Sequence, residues 1–145
     1  PPLARVGTIP VGYPRAMLSG GPSPRILIVD DDPRLLVLLA DQLRADGFEI
    51  QTARDGDEAL RRLRTGWPDL LIIDMMMPRM GGEMFYWAVT RVRPATAQRF
   101  IFFTGYPNDP AIEFFFKRVN ATVLVKPFEL AALDSTIDDV LRKVV

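Results

Sequence analysis

From Arg25 onward, short runs of branched apolar residues alternate with longer segments in which apolar residues recur every three or four positions. The short runs are typical of strands that are buried on both faces, and the longer segments are typical of helices with one buried face. Five strands therefore alternate with five helices along this part of the chain. This alternation predicts an α/β fold, a doubly wound five-stranded parallel sheet with helices on both of its faces.

The boundaries of these elements follow from capping and turn residues. Asp32 before Pro33 and Asp109 before Pro110 are typical of a helix N-cap followed by proline in the first turn. The predicted helices therefore begin near residues 33, 55, 83, 109 and 129, and the third is stopped by Pro94. The predicted strands cover residues 26–29, 48–52, 70–74, 100–103 and 122–125.

Composition narrows the possible functions. The chain has 145 residues, of which 48% are hydrophobic, so it can form one domain with a substantial core. It contains no cysteine and no histidine, which excludes disulfides, Ser-His-Asp triads, histidine metal clusters and phosphohistidine on this chain. The 18 basic and 18 acidic residues cancel, so we expect no attraction to nucleic acid or to an anionic membrane. Without a long apolar run or a signal peptide, we expect a soluble cytoplasmic protein.

The first 24 residues differ from the rest of the chain. They contain 6 of the 13 prolines and 4 of the 10 glycines, and no acidic residue. Such a composition is typical of a linker, a tag or a disordered leader rather than of a folded domain. We therefore predict a leader at residues 1–24 and a single domain at residues 25–145.

Polar residues stand where four of the five predicted strands end. Asp30 and Asp31 follow the first strand, Asp74 ends the third, Thr104 the fourth and Lys126 the fifth. With the strand order 2-1-3-4-5, these ends lie side by side at the edge of the sheet where α/β proteins bind ligands. The three carboxylates and one ammonium group carry a net charge of −2.

This group of side chains predicts a magnesium site. Two carboxylates ~4 Å apart repel by about 4 kcal/mol at an effective dielectric constant near 20, and a divalent cation offsets that repulsion. Oxygen ligands without histidine or cysteine favour Mg²⁺, which also binds phosphoryl oxygens. The most deeply placed carboxylate could then act as a nucleophile and form an aspartyl phosphate. Thr104 and Lys126 would contact the phosphoryl oxygens.

These residues resemble the receiver domain of two-component response regulators, a family with the flavodoxin-like (CheY-like) fold. The resemblance covers residues 25–145. It rests on Asp30-Asp31, on Asp74 with Met77-Pro78 and Gly81, on Thr104, and on Lys126-Pro127-Phe128. The steps of 43, 30 and 22 residues from Asp31 to Asp74, Thr104 and Lys126 match the spacing in that family.

The resemblance implies a role for each site residue. Asp74 would be the phosphoacceptor, and Asp30, Asp31, Asp74 and the backbone carbonyl of Met76 would bind Mg²⁺. Thr104 would be the switch hydroxyl and Lys126 the cation that pairs with phosphate, with a cis peptide bond between Lys126 and Pro127. The phosphoryl donor would be a histidine kinase or a histidine phosphotransfer protein, and the domain itself would be no enzyme beyond slow self-dephosphorylation.

Two positions depart from the family pattern. Val123 stands where many receivers have an aromatic residue that follows the switch hydroxyl inward, so we expect no aromatic switch at that position. We hypothesise that Tyr106 or helix four transmits the signal instead. Gly105 replaces the more common alanine, and we expect it to leave the loop after Thr104 freer and the phosphoryl group more accessible.

The output has to pass through protein contacts, because the chain shows no helix-turn-helix signal and no basic cluster. The resemblance implies a downstream partner at the face formed by helix four, strand five and helix five. Phe114, Phe115 and Phe116 cannot all face the core of one helix, so at least one of them is expected at a partner or homodimer surface. We expect either a single-domain regulator or, preferably, the receiver of a larger protein such as a hybrid sensor kinase.

Three other functions share some of these features. Asp30-x-Asp32 is similar to the nucleophile motif of haloacid-dehalogenase-type phosphatases, but Arg34 stands where that family has Thr or Val. A flavodoxin-like electron carrier has the same strand order, but the acidic pocket would repel the phosphate of FMN. A receiver that binds partners without being phosphorylated is the remaining alternative.

Overall fold

The computed structural model describes residues 21–144, so most of the predicted leader lies outside the described residues. The parallel strands are β1 (Arg25–Val29), β2 (Glu49–Ala53), β3 (Leu70–Asp74), β4 (Phe100–Thr104) and β5 (Val123–Val125). The α-helices are α1 (Pro33–Ala45), α2 (Gly56–Leu63), α3 (Gly82–Val92), α4 (Pro110–Val119) and α5 (Leu130–Val144).

The five strands form one parallel sheet in the order β2-β1-β3-β4-β5, which confirms the predicted architecture. Residues Ile26 to Val29 of β1 pair with Leu70 to Ile73 of β3, and Asp74 lies opposite Phe103 of β4. Because all strands run in one direction, their carboxyl ends meet at a single edge of the sheet.

Successive residues of each strand supply opposite faces of the sheet, and each face has its own core. Ile26 and Ile28 belong to the core under α1 and α5, whereas Leu27 and Val29 belong to the core under α2, α3 and α4. The second core is rich in aromatic rings that contact one another, among them Tyr86, Phe102 and Phe115. Both faces of the sheet are therefore covered, which explains why the strands read as continuous apolar runs.

The helix starts follow the local signals in the sequence. The Asp32 carboxylate accepts hydrogen bonds from the backbone N–H groups of Arg34 and Leu35, and Asp109 caps α4 in the same way through Ala111 and Ile112. Each of these aspartates precedes a proline in the first turn. The predicted caps are therefore confirmed by their hydrogen bonds.

One prediction was incomplete. Pro94 ends the α3 segment as expected, but it also begins a 3-10 helix at Pro94–Arg99, so the described residues contain six helices rather than five. Proline lacks a backbone N–H and has a fixed φ, both of which suit the first position of a new helical turn. The periodicity of this short polar segment was too weak to reveal the turn.

The three phenylalanines of α4 divide as predicted. Phe115 is buried in the second core, Phe116 is half-buried, and Phe114 is 68% exposed. Among residues 21–144 no helix is both long enough and apolar enough to cross a membrane.

Candidate functional site

Each predicted site residue except Met76 lies at or directly after the carboxyl end of a strand. Asp74 and Thr104 are the last residues of β3 and β4, whereas Asp30 and Asp31 follow β1 and Lys126 follows β5. The strands β1, β3, β4 and β5 are consecutive neighbours in the sheet. The topology therefore places these five residues along one edge.

Three carboxylates form a compact cluster at this edge. Oxygen atoms of Asp30, Asp31 and Asp74 lie within 4.8 Å of one another. Asp30 is fully buried and Asp74 is only 5% exposed, whereas Asp31 is open to solvent. Burial and the neighbouring charge of Asp30 raise the pKa of Asp74 to about 6, against the opposing charge of Lys126.

Lys126 supplies the positive charge of the site. Its Nζ lies 2.7 Å from Asp30 Oδ2 and 3.6 Å from Asp74 Oδ1. Burial by itself lowers the pKa of Lys126, but the hydrogen bond to Asp30 and the charge of Asp74 raise the pKa overall. The ammonium group also lies 5.8 Å from the ring centre of Phe103. The bond between Lys126 and Pro127 is cis, as the resemblance implied.

Both carboxylate oxygens of Asp30 accept hydrogen bonds from neighbouring groups. Oδ2 accepts the hydrogen bond from Lys126, and Oδ1 accepts one from the backbone N–H of Asp32 at 2.9 Å. Asp32 itself caps α1, so the turn after β1 fixes the orientation of Asp30. The contact to the Asp32 amide was not predicted, although the sequence Asp-Asp-Asp-Pro is a signal for a turn of this kind.

Thr104 is fully buried at the end of β4, the strand next to β3 and its terminal Asp74. Its Oγ1 accepts a hydrogen bond from the backbone N–H of Tyr106 at 2.9 Å. A hydroxyl group has one donor as well as acceptor sites, so Thr104 can keep this bond while it donates to another oxygen. The bond links the buried hydroxyl directly to Tyr106, whose side chain is exposed.

Three further predicted positions lie around the site. Met76 follows β3, its side chain is exposed, and its backbone N–H lies 3.5 Å from Asp74 Oδ1. Val123 is half-buried at the start of β5, and no atom lies within 4 Å of a methyl group built on Gly105. An alanine methyl group would therefore fit at Gly105 without a contact, and the expectation for this position stays a prediction.

The chemistry of this cluster fits a hard divalent cation. Its ligand atoms are carboxylate oxygens, and the site contains one more buried carboxylate than Lys126 can neutralise. Burial of the Asp74 carboxylate and, second, the neighbouring charge of Asp30 make its ionised form costly, and they raise its pKa. A cation held by Asp30, Asp31 and Asp74 would remove this cost and leave coordination positions for phosphoryl oxygens.

A model of the response regulator receiver domain family matches residues 26–138. The match covers most of the chain and contains all of the residues described above. The chain therefore belongs to the response regulator receiver domain family, whose members are signalling domains of two-component systems.

Characterised relatives are considerably longer than this chain. The transcriptional regulatory protein GlrR of Escherichia coli is 34% identical over 118 residues, which are 81% of this chain and 26% of that protein. PrrA of Mycobacterium tuberculosis, also a transcriptional regulatory protein, is 47% identical over 66 residues, or 46% of this chain and 28% of PrrA. The matched segments thus span about a quarter of these relatives.

Solved structures share the whole fold. A CheY-like receiver domain protein from Methanospirillum hungatei superposes with a TM-score of 0.77 at 27% identity, covering 84% of this chain and 96% of that one. The receiver domain of a signal transduction histidine kinase from Syntrophus aciditrophicus gives a TM-score of 0.75 at 29% identity, covering 84% and 92%. Receivers from two different kinds of protein are therefore similarly close to this chain.

Proposed function

We propose that Asp74 is the phosphoacceptor of this receiver and takes a phosphoryl group from a histidine kinase or a histidine phosphotransfer protein. The observation that carries the proposal is the position of Asp74, buried at the end of β3 within reach of two further carboxylates and of the Lys126 ammonium group. We propose that the protein works in the cytoplasm beside such a donor.

The residues suggest how the transfer proceeds. A carboxylate oxygen of Asp74 attacks phosphorus, an O–P bond forms while the P–N bond of the donor phosphohistidine breaks, and the electron pair leaves on the imidazole nitrogen. Lys126 pairs with one phosphoryl oxygen and Thr104 donates a hydrogen bond to another. Mg²⁺, held by Asp30, Asp31, Asp74 and the Met76 carbonyl, would neutralise charge on the phosphoryl group.

Intact-mass measurement after incubation with Mg²⁺ and phosphoramidate tests the proposal. We expect one phosphoryl adduct, labile at alkaline pH, on the wild type and none on Asp74→Asn. Asp41→Asn is the matched control, since it makes the same change at an exposed position of α1 and should keep the adduct. If no adduct forms on the wild type with donor and Mg²⁺ in excess, the receiver only binds partners.

The site also argues against a phosphatase that would use Asp30 as nucleophile. Asp30 is fully buried, with one oxygen bonded to Lys126 and the other to the Asp32 amide, and Asp32 is occupied as a helix cap. Continuous release of phosphate from a small phosphate ester, lost on Asp30→Asn, would instead support the phosphatase.

We propose that the output passes through the face formed by α4, β5 and α5. Phe114 of α4 and Val125 of β5 are exposed apolar residues on these elements, and a downstream protein or a second copy of the chain would cover them. The signal would reach this face through the hydrogen bond from Tyr106 to Thr104, since Val123 has no ring to rotate. A donation from Thr104 to phosphate would draw the Tyr106 backbone and the start of α4 toward the site.

Hydrogen–deuterium exchange at residues 105–119, with and without phosphoramidate, tests this route. In the wild type we expect exchange in α4 to change on phosphorylation, and in Thr104→Ala, which lacks the hydroxyl that accepts the Tyr106 N–H, we expect the change to be much smaller at an equal extent of phosphorylation. Tyr106→Ala is the control that keeps the backbone N–H and removes the ring. An equal response in wild type and Thr104→Ala would exclude the hydrogen bond as the carrier of the signal, and a response lost only in Tyr106→Ala would assign it to the tyrosine side chain.

We further propose that residues 25–145 work as the receiver unit of a larger protein, with residues 1–24 as its leader. Support comes from the length of the relatives and from a hydrogen bond directly before β1, in which the Pro24 carbonyl accepts the Glu49 N–H at 3.0 Å. Limited proteolysis should cut before residue 24 and leave the remainder intact.

A further inference from the structure

A strained turn lies five residues after Asp74, in the loop that joins β3 to α3. Arg79 has a φ of 66°, and the N–H of Met80 donates to the carbonyl of Pro78 at 2.7 Å. A left-handed conformation is unfavourable for a residue with a side chain, and a three-residue turn of this kind is rare. Such a turn persists only where its surroundings hold it in place.

The first residues of α2 hold this turn from one side. Met80 packs directly on Gly56, and a methyl group at Gly56 would lie 2.6 Å from Met80 Sδ and 2.9 Å from its Cγ. One residue away, Arg79 Nη2 lies 3.7 Å from Asp55 Oδ2, while Asp55 Oδ1 caps α2 through the Glu58 N–H. The Arg79 side chain is 76% exposed and its ion pair is long, so we assign the main effect to the packing of Met80.

The other side of the loop closes directly behind the phosphoacceptor. The Gly82 N–H donates to the Met75 carbonyl at 3.1 Å, and a methyl group at Gly82 would lie 2.8 Å from Met75 Sδ and 3.0 Å from the carbonyl oxygen of Asp74. Residues 75–82 therefore form a short loop that is closed by this hydrogen bond and tightly packed at Gly82. We expect a backbone displacement at Met80 to be passed along this short loop to Met75 and Met76.

We infer that Gly56 and Met80 are positioning residues for the phosphoacceptor loop, residues 75–82. Because Gly56 has no side chain, Met80 can pack against it, and this packing holds Met76 and the Asp74 carboxylate in place. This inference rests on the proposed function, in which the Met76 carbonyl and Asp74 bind Mg²⁺. It assigns to the start of α2 a role in the site although no residue of α2 lies at the strand ends. Neither residue contacts the carboxylates, so neither is catalytic.

Gly56→Ala tests the inference, because the added methyl group displaces Met80. If Gly56 served only the helix, alanine would be neutral or stabilising, since it has the higher helix propensity. We expect instead that the Kd for Mg²⁺, measured by calorimetry, rises by about tenfold, as for other residues that orient metal ligands. The phosphorylation rate with phosphoramidate at saturating Mg²⁺ should also fall by roughly tenfold, because the carboxylate is misplaced.

A size-compensating variant provides the decisive comparison. In Gly56→Ala/Met80→Ala the short side chain makes room for the methyl group, so we expect both Mg²⁺ affinity and rate to recover toward those of Met80→Ala alone. Asp57→Ala is the control for a change in the same helical turn, at an exposed position. A double variant as impaired as Gly56→Ala, or a Gly56→Ala protein with wild-type affinity and rate, would overturn the inference.

A metal-free measurement separates this inference from the proposed function. The backbone amide shifts of residues 74–82 should move in Gly56→Ala and return in the double variant, whether or not Asp74 accepts phosphate. If the wild type takes up no phosphoryl group but these shifts and the Mg²⁺ affinity respond as expected, the proposed function fails and the positioning role stands. Unmoved shifts in a folded Gly56→Ala protein would contradict the positioning role alone.

Discussion

Charged side chains are exposed or hydrogen-bonded where the parallel strands begin, at the amino edge of the sheet, and buried where the strands end, at its carboxyl edge. At the amino edge, Arg25 and Glu49 form a 3.3 Å ion pair in which both side chains are more than half exposed. Arg99 donates there to the carbonyls of Asp69 and Val144, which ties α5 to the start of β3. At the carboxyl edge, Asp30 and Asp74 are buried and share a single lysine.

The difference shows which edge serves stability and which serves function. Charges at the amino edge are solvated or hydrogen-bonded, so they add a little to the free energy of unfolding and carry little desolvation cost. The carboxyl edge keeps a surplus of buried negative charge, which destabilises the metal-free fold. Proteins retain such costly arrangements mainly at functional sites, and the family assignment agrees with that interpretation.

The largest contrast between the edges should appear in phosphorylation. We expect Lys126→Ala to lower the rate with phosphoramidate by about 10²-fold or more, because one cation that stabilises the phosphoryl oxygens is lost. Arg25→Ala removes a positive charge at the opposite edge and should leave the rate unchanged. Equal rates for wild type and Lys126→Ala in the mass assay would show that the lysine is structural.

The next largest effect is the pH dependence of the free energy of unfolding in the absence of Mg²⁺. The pKa of Asp74 is about 6 in the folded protein and 3.8 without its surroundings, so the folded state holds a proton more tightly. The contribution of Asp74 to the free energy of unfolding should therefore fall as the pH rises from about 4 to about 6, by roughly 2–3 kcal/mol for a shift of this size. Asp74→Asn should lack this loss and be more stable than the wild type at pH 7.

Urea unfolding of both proteins at several pH values, in buffer with chelator, measures this difference. Mg²⁺ should then reduce the advantage of Asp74→Asn, since the ion binds the wild type more strongly. A difference between the two proteins that is independent of pH would mean that the Asp74 carboxylate is not destabilised by its surroundings.

A smaller effect is expected at Arg99. Arg99→Ala leaves the carbonyls of Asp69 and Val144 without their charged donor and should lower the free energy of unfolding by about 1–2 kcal/mol. The phosphorylation rate of the folded protein should stay at the wild-type value, because these bonds lie at the other end of the strands. Urea unfolding and the mass assay on the same preparation test both halves of the prediction.

The smallest effect is expected for the exposed ion pair. A double-mutant cycle with Arg25→Ala and Glu49→Ala should give a coupling energy below about 1 kcal/mol that decreases further at high salt. A larger coupling that is insensitive to salt would show that the amino edge is less solvated than its exposure indicates.

Much of this protein follows from local sequence signals. Apolar runs and periodic helices fix the element order, and Asp32-Pro33 and Asp109-Pro110 mark two helix starts that their hydrogen bonds confirm. In a parallel sheet the carboxyl ends of the strands share an edge, so the positions of Asp30, Asp74 and Lys126 at predicted strand ends were enough to predict that they lie close together. The 3-10 helix at Pro94–Arg99 was missed because its polar residues carry no clear period.

Only the tertiary structure decided how these residues are arranged. It makes Asp30 rather than Asp74 the nearer partner of Lys126, joins Thr104 to the Tyr106 amide, and seats Met80 on Gly56. Periodicity and capping act over a few residues, and they carry no information on distances of tenths of an ångström. Those distances are set by how side chains from separate elements fill one common space, which depends on the whole fold.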